Sequence, residues 1–268
     1  MNYAYIIALL ALCAVYAAVV YLMKYIRNIK LFNCIFVAMV FIPYVIVCAV
    51  VYKSVGFYDW NFQNTLPVAN VSPFMFTLTP LTLILPKAVR KHIYLLISLL
   101  CVGMFVSSVL GCLYNASIGY KFHFHFLLDY VSHIILSLFG IYLVRTEQVK
   151  LTRKNCLISS SIILGSATVM LILNLIFDTS FFGLSLRGKH NIYNTVLVDN
   201  SYLSALLYYV GLVGVLALGF AASYIASKKT FSKAEKVFHF RIIKSGRYLA
   251  KENYHSTSIY GIIASANI

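Results

Sequence analysis

Ionisable side chains interrupt an apolar stretch near the middle of the chain. His125, Asp129 and His133 are spaced by four residues, Ser132 adjoins the last of them, and His123 lies just upstream. On an α-helix this spacing places Asp129 and His133 on one face, one turn apart, where they can hydrogen-bond. A carboxylate that holds an imidazole fixes its tautomer and raises its basicity, as in hydrolase triads. The pattern therefore predicts a general base at His133 oriented by Asp129, with His125 and Ser132 as candidate substrate-binding residues.

The same row of polar residues has two other interpretations. Polar side chains on one helix face can simply pack against neighbouring helices. His125, Asp129 and His133 could also supply metal ligands, but zinc ligands normally come from more than one element, and no other helix centre offers a histidine. We predict neither a metal nor a cofactor.

The chain around these residues is too apolar for a soluble protein. Of its 268 residues, 61% are hydrophobic and 11% are charged, whereas a soluble domain carries about 25% charged residues. The net charge of +15 lies in short loops and a tail, so membrane topology explains it better than nucleic-acid binding. We therefore predict an integral membrane protein that contacts lipids, does not bind nucleic acid, and has protein partners that the sequence does not identify.

Apolar segments follow one another along most of the chain. A bilayer-spanning helix needs about 20 mostly apolar residues, and we identify seven candidates, of which the third is short. The predicted fold is an all-α, polytopic transmembrane bundle over residues 1–226, followed by a basic tail over residues 227–268. The segments are Tyr3–Met23, Leu31–Val51, Val71–Leu85, His92–Leu113, Phe126–Val144, Cys156–Phe177 and Leu203–Ala226.

Lysine and arginine residues are distributed unequally between alternate loops. Of the 22 such residues, 18 lie in the tail and in the loops after the first, third and fifth segments. Because basic residues stay in the cytoplasm, the N-terminus is predicted outside and the tail inside, as seven spans require. The tail is expected to touch anionic lipid. The predicted location is the cell membrane.

The short third segment carries a second candidate group. Pro73 and Pro80 lie within it and Pro86 follows, so the segment is expected to be kinked or broken, because proline lacks a backbone donor. Irregular backbone at membrane depth persists only where it faces protein or a watery cavity. Thr77 lies ~9 Å along this segment, at a depth that the imidazole at position 133 can share. We therefore consider Thr77 a candidate nucleophile.

Polar residues also mark the outer end of the sixth segment and the long loop after it. Asn174 lies near the end of the segment, and Arg187 and Lys189 lie in the loop. A guanidinium and an ammonium group can hold a phosphate head group. These three residues are candidate substrate-binding residues in the outer half of the membrane, although an ordinary interfacial loop has the same composition.

Three stretches resemble a known family. Leu128-Asp129-Tyr130-Val131-Ser132-His133-Ile134-Ile135 resembles the Ser-His segment of the YwaF-type bacterial integral membrane proteins. The stretch from Asn174 to Asn194 resembles their asparagine-bearing helix end and the loop after it, and Ser72-Pro73-Phe74-Met75-Phe76-Thr77 resembles their Pro-Leu-x-Leu-Cys segment. The likeness covers roughly residues 65 to 225.

The resemblance implies an activity and, as the location, a bacterial plasma membrane. The family is related to vertebrate multi-pass enzymes that move or hydrolyse fatty acyl groups, with a Cys or Thr nucleophile on one helix and a histidine on another. Carried over, Thr77 takes the nucleophile position and His133 the histidine position. The bacterial pattern usually has Cys where this chain has Thr77, but a threonine serves when a base activates it.

Two main functions follow from these residues. The first is a lipid acyl hydrolase or acyltransferase with its site in the outer half of the membrane, in which His133, oriented by Asp129, activates Thr77 and Asn174 helps to stabilise the oxyanion. The second is a transporter, or the membrane-embedded binding subunit of one, with a proton-linked Asp–His pair. A non-enzymatic partner of another membrane protein is also compatible with the sequence.

Overall fold

The computed structural model describes residues 2–26, 28–56, 66, 70–119, 121, 123–177, 203, 205–225 and 227. This part of the chain contains seven α-helices and no strand, which confirms the predicted all-α bundle. The helices are α1 (Tyr3–Leu22), α2 (Ile29–Val55), α3 (Val71–Leu81), α4 (Lys87–Ser117), α5 (Phe124–Arg145), α6 (Arg153–Phe177) and α7 (Ala205–Ile225). A short 3₁₀ helix, Met23–Tyr25, follows α1.

The chain divides into two compact units, Met1–Tyr224 and Ile225–Ile268. The second unit contains the predicted basic tail, which lies outside the described residues except for Ser227.

Six of the helices are long and apolar enough to cross a membrane, and the protein is accordingly a multi-pass membrane protein. The exception is α3, whose 11 residues extend only ~16 Å, about half of a ~30 Å hydrocarbon core. The prediction of a helix continuing to residue 85 is wrong, because α3 stops at Leu81. Thr82, Leu83 and Ile84 continue the chain with backbone bonds to the third residue before each, and Pro86 precedes the first residue of α4.

Several of the long helices extend beyond the apolar segments from which they were predicted. Helix α4 begins at Lys87 rather than His92 and ends at Ser117, and α2 begins at Ile29. Apolar residues mark only the part of a helix that lies in hydrocarbon, whereas backbone hydrogen bonds carry the helix into the interface.

The centre of the unit is the packed pair of α4 and α5, the two most buried of the candidate spans. At Gly140 the backbones approach so closely that an added Cβ would lie 2.8 Å from the carbonyl oxygen of Ile97. The Ser98 hydroxyl donates to the Gly140 carbonyl at 3.1 Å. Ser223 of α7 donates to the Ser98 carbonyl, also at 3.1 Å. Small residues and hydroxyl-to-carbonyl bonds thus hold the helices together, as is common in membranes.

Polar contacts gather the basic loops at one end of the unit, which we call the basic end. Arg145, the last residue of α5, donates to the Val20 carbonyl near the end of α1 at 2.6 Å. The Asn33 amide near the start of α2 donates to Gln148 at 2.7 Å and to the phenol of Tyr94 in α4 at 3.2 Å. The ends of α1 and α5 and the starts of α2 and α4 therefore lie together.

The opposite end joins the start of α1 to the α4–α5 connection. The Asn2 backbone amide donates to the Ala116 carbonyl at 2.9 Å, and the Tyr5 hydroxyl donates to the Lys121 carbonyl at 3.1 Å. The side chain of Tyr5 is completely buried and packs edge-on against Tyr130 of α5. These contacts join the start of α1 to the end of α4 and to the α4–α5 connection, at the end of the unit opposite the basic end.

Gly140→Ala should destabilise the protein by about 1–3 kcal/mol, because the new methyl overpacks a closed interface. The control is Gly165→Ala in α6, where nothing lies within 4 Å of the added Cβ and stability should stay the same or rise by at most about 1 kcal/mol. Thermal unfolding of both variants in one detergent measures the difference. Equal midpoints for the two variants would contradict the close α4–α5 approach.

Candidate functional site

His133 lies inside the bundle near the middle of α5. It follows the first residue of the helix by nine positions, or ~14 Å along the axis, and its side chain is only 8% exposed. Nδ1 lies 2.8 Å from the backbone carbonyl oxygen of Asp129. Because a carbonyl oxygen can only accept a hydrogen bond, Nδ1 carries the proton. In the neutral ring, Nε2 is therefore the acceptor, which is the state a general base needs.

The carboxylate of Asp129 lies farther from His133 Nδ1 than the backbone carbonyl does. Its Oδ1 lies 3.6 Å from His133 Nδ1, near enough for an electrostatic interaction but beyond hydrogen-bonding distance. The Asp129 side chain is 41% exposed. The sequence suggested that this carboxylate orients the ring, whereas in the structure the shorter contact is made by the backbone of the same residue.

Helix α3 reaches His133 through Phe76. The two rings meet edge to face, with centroids 5.0 Å apart and an interplanar angle of 88°. On its other side, Phe76 packs against Tyr44 of α2 with centroids 5.4 Å apart. The side chain of Phe76 is 1% exposed, so it fills the space where α2, α3 and α5 meet.

Thr77 follows Phe76 directly on α3 and is partly buried. Its hydroxyl donates to the Pro73 carbonyl, one turn back on the same helix, at 3.0 Å. The phenol of Tyr44 is a hydrogen-bonding neighbour of the same hydroxyl. Thr77 thus contacts Tyr44 and is next to Phe76 in the chain, while the residue of α3 that touches the imidazole is Phe76.

The other predicted site residues lie at varying distances from the cluster formed by His133, Phe76 and Tyr44. Ser132 is buried and donates to the Leu128 carbonyl of its own helix at 3.0 Å. His125 stacks on His123 at the start of α5, two turns or ~12 Å from the imidazole of the cluster. Asn174 is buried near the end of α6, a helix that packs mainly against α4. Arg187 and Lys189 lie outside the described residues.

Within the described part of the chain, no three His, Cys, Asp or Glu side chains come together as a metal site. Two cavities, of about 300 and 290 Å³, lie between α6 and α7 and between α1 and α2. Neither is lined by His133 or Thr77. The partly exposed side chain of Asp129 marks the side from which the cluster is most accessible.

Sequence reasoning did not identify two members of the cluster, Phe76 and Tyr44. Aromatic residues are common throughout the chain, so neither stands out by type. A proline precedes Tyr44 within α2, and proline in a transmembrane helix often marks a place where neighbouring helices satisfy a freed carbonyl. The proline therefore indicates that this part of α2 packs against neighbouring helices, but it does not identify α3 or α5 as those neighbours.

No family model, curated protein or solved structure matches the chain. One imidazole with an acceptor nitrogen and one carboxylate lie on α5, and the contacts of Phe76 bring α2 and α3, which carry the hydroxyl groups of Tyr44 and Thr77, against this part of α5. This set of groups can remove a proton from a hydroxyl or water and return it to a leaving group.

Asp129→Asn should leave the His133 tautomer unchanged, because the backbone carbonyl rather than the carboxylate accepts the Nδ1 proton. ¹⁵N spectra of protein labelled at histidine, with the His133 signal assigned by its loss in His133→Gln, measure the tautomer. His133 should be protonated at Nδ1 before and after the substitution. A switch to the Nε2–H form in Asp129→Asn would contradict the structure and assign the orienting role to the carboxylate.

Proposed function

We propose that this multi-pass membrane protein is a lipid acyl hydrolase or acyltransferase of the YwaF type, with His133 as its general base. The observation that carries the proposal is the contact between Phe76 and His133, because it brings the helix bearing Thr77 against the buried imidazole. The resemblance of the segments around positions 77 and 133 to the YwaF-type proteins supports the same assignment. A bacterial plasma membrane is the location that this family membership implies.

The reaction begins with removal of the Thr77 hydroxyl proton by Nε2 of His133. The Oγ atom attacks the carbonyl carbon of a lipid ester, and a bond forms between them while the carbonyl oxygen becomes an oxyanion. When the tetrahedral intermediate collapses, the ester C–O bond breaks and the alcohol leaves with the proton from His133. Water or a second lipid alcohol then takes the acyl group from Thr77 by the reverse sequence.

The Thr77 hydroxyl must leave the Pro73 carbonyl before it can react. A threonine in a helix divides between two χ1 rotamers, of which one bonds back to the preceding turn and one does not. The phenol of Tyr44 lies beside the same hydroxyl in the rotamer that bonds to Pro73. Release from the Pro73 carbonyl therefore requires a change of rotamer and no unfolding of α3.

The carboxylate and some of the remaining predicted residues have supporting roles in this proposal. The negative charge of Asp129, 3.6 Å from Nδ1, stabilises the imidazolium that forms during the reaction. Arg187 and Lys189 are assigned to the lipid head group, whereas Asn174, on a helix that packs mainly against α4, is given no role in this reaction. A threonine stands where the family usually has a more nucleophilic cysteine, so we expect a slow enzyme.

Thr77→Val should abolish turnover of a fluorescent lipid ester by the reconstituted protein, because it removes the nucleophile and keeps the shape. Thr79→Val is the matched control: Thr79 lies on the same helix, and its hydroxyl also bonds back one turn, to Met75 at 2.7 Å. His133→Ala should lower turnover by about 10²–10⁴-fold, the usual contribution of a general base. Thr77→Cys should retain activity. Equal turnover in the Thr77→Val and Thr79→Val proteins would reject Thr77 as the nucleophile.

A second function, proton-linked binding or transport, is favoured by a different observation. The Asp129 side chain is 41% exposed and that of His133 8%, so the pair connects an accessible carboxylate to a buried imidazole. Ionisable pairs of this kind form proton relays in membrane proteins. Proteoliposomes that contain a pH-sensitive dye would report proton entry that is lost in both Asp129→Asn and His133→Ala and is unaffected by Thr77→Val.

A further inference from the structure

The cavity of about 300 Å³ between α6 and α7 is an open groove on the surface of the bundle rather than an enclosed space. Arg153, Cys156, Leu157 and Ser160 come from α6, and Phe220 of α7 completes the wall. The four α6 residues are spaced at i, i+3, i+4 and i+7, so they form a single stripe along the helix. The cavity therefore extends along α6 from its first residue into the apolar part of the bundle.

The mouth of the cavity carries a positive charge that no described residue neutralises. The Arg153 side chain is exposed and makes no hydrogen bond or ion pair within the described part of the chain. Lys154 is next to it, and the first turn of α6 contains no acidic residue. This end of α6 contacts α4 through His92 and Ser159, which lie 3.4 Å apart. It therefore belongs to the basic end, which the charge distribution assigns to the cytoplasmic surface.

A polar group lies deeper on the same stripe. Ser160 is two turns from Arg153, ~10 Å along the helix. Two hydroxyl groups farther along α6, those of Ser166 and Thr168, bond back to their own helix at 2.8 and 3.0 Å. Ser160 makes no such bond, nor any other hydrogen bond within the described residues. Its hydroxyl is thus available to a molecule in the cavity.

We propose that this cavity binds an anionic phospholipid of the cytoplasmic leaflet. The guanidinium of Arg153 holds the phosphate, since its planar donors match phosphate oxygens. The Ser160 hydroxyl donates to an ester carbonyl below the phosphate, and one acyl chain lies against Leu157 and Phe220. The adjacent charge of Lys154 selects against a zwitterionic lipid, whose own cation would lie beside two others. This site is separate from His133 and does not depend on the proposed acyl chemistry.

Native mass spectrometry of the full chain, released from detergent with added lipid, tests the proposal. The probes are a phosphatidylglycerol and a phosphatidylcholine with the same acyl chains, and inorganic phosphate as a competitor. The unmodified protein should retain phosphatidylglycerol at least about tenfold more tightly than phosphatidylcholine. Arg153→Gln should reduce that affinity about tenfold, as loss of one charge-assisted contact predicts.

Two further variants distinguish a specific lipid-binding site from nonspecific attraction of lipid to positive surface charge. Lys154→Gln removes the same charge from the same turn but does not line the cavity, so it should change the affinity less than about threefold, an estimate for one exposed charge. Ser160→Leu should weaken retention by filling the cavity while leaving every charge in place. Unchanged thermal unfolding of the lipid-free variants establishes that each is folded.

Three outcomes would overturn the proposal. Equal losses in Arg153→Gln and Lys154→Gln would mean that lipids are attracted only by surface charge. Full retention of lipid in Ser160→Leu would mean that the cavity is not occupied. Displacement of the lipid by inorganic phosphate at equal concentration would mean that the site recognises a free anion and not a lipid.

Discussion

Hydrocarbon offers no hydrogen-bond partner, and this constraint determines how the polar side chains of the bundle are arranged. Most of the serine and threonine hydroxyl groups on the described helices donate to a carbonyl oxygen, either of their own helix, as Thr79 does, or of a neighbouring one. The Ser108 hydroxyl of α4 donates to the Tyr130 carbonyl of α5 at 2.9 Å, and Ser98 bonds to Gly140 in the same way. These bonds satisfy the polar groups and also join α4 to α5. The packed pair provides the frame on which the other helices are placed.

The same constraint separates His133 from the other buried polar residues. A serine or threonine hydroxyl has one proton to donate, and one carbonyl one turn back satisfies it. An imidazole has two nitrogens, and the Asp129 carbonyl satisfies only Nδ1. Within the described residues Nε2 has no polar partner, while Phe76 packs against the ring. Such a nitrogen is costly to bury, and a proton supplied by a substrate or by Thr77 would compensate for that cost.

The sequence predicted the features that depend on local composition. Apolar segments located the helices, and the unequal distribution of Lys and Arg predicted the loops that meet at the basic end, as the contact of Arg145 with Val20 illustrates. The length of α3 was less predictable. Proline at positions 80 and 86 indicated a disturbance, but the stop at Leu81 depends on how the turn after it satisfies its own backbone. A hydropathy profile contains no information about these backbone hydrogen bonds, so it does not predict where α3 ends.

The candidate site was predicted only in part, for a physical reason. Helical spacing alone brought Asp129 and His133 together, because both belong to α5. It did not distinguish the carboxylate from the backbone carbonyl as the partner of Nδ1, since both lie one turn back. The contacts of Phe76 with Tyr44 and His133 join three helices from distant parts of the chain. Without homologous sequences, nothing in a single sequence links such positions.

The short length of α3 explains why Phe76 determines the geometry of the site. A full span is held at both membrane surfaces, whereas α3, with 11 residues, is too short to reach both. Just beyond its C-terminal end, Thr82 lies beside the phenol of Tyr94, which in turn bonds to Asn33 at the basic end. Near its middle, Phe76 is held between the rings of α2 and α5. The position of Thr77 relative to His133 therefore depends on one aromatic side chain, so a change in the volume of residue 76 alters the approach of hydroxyl and imidazole without touching either.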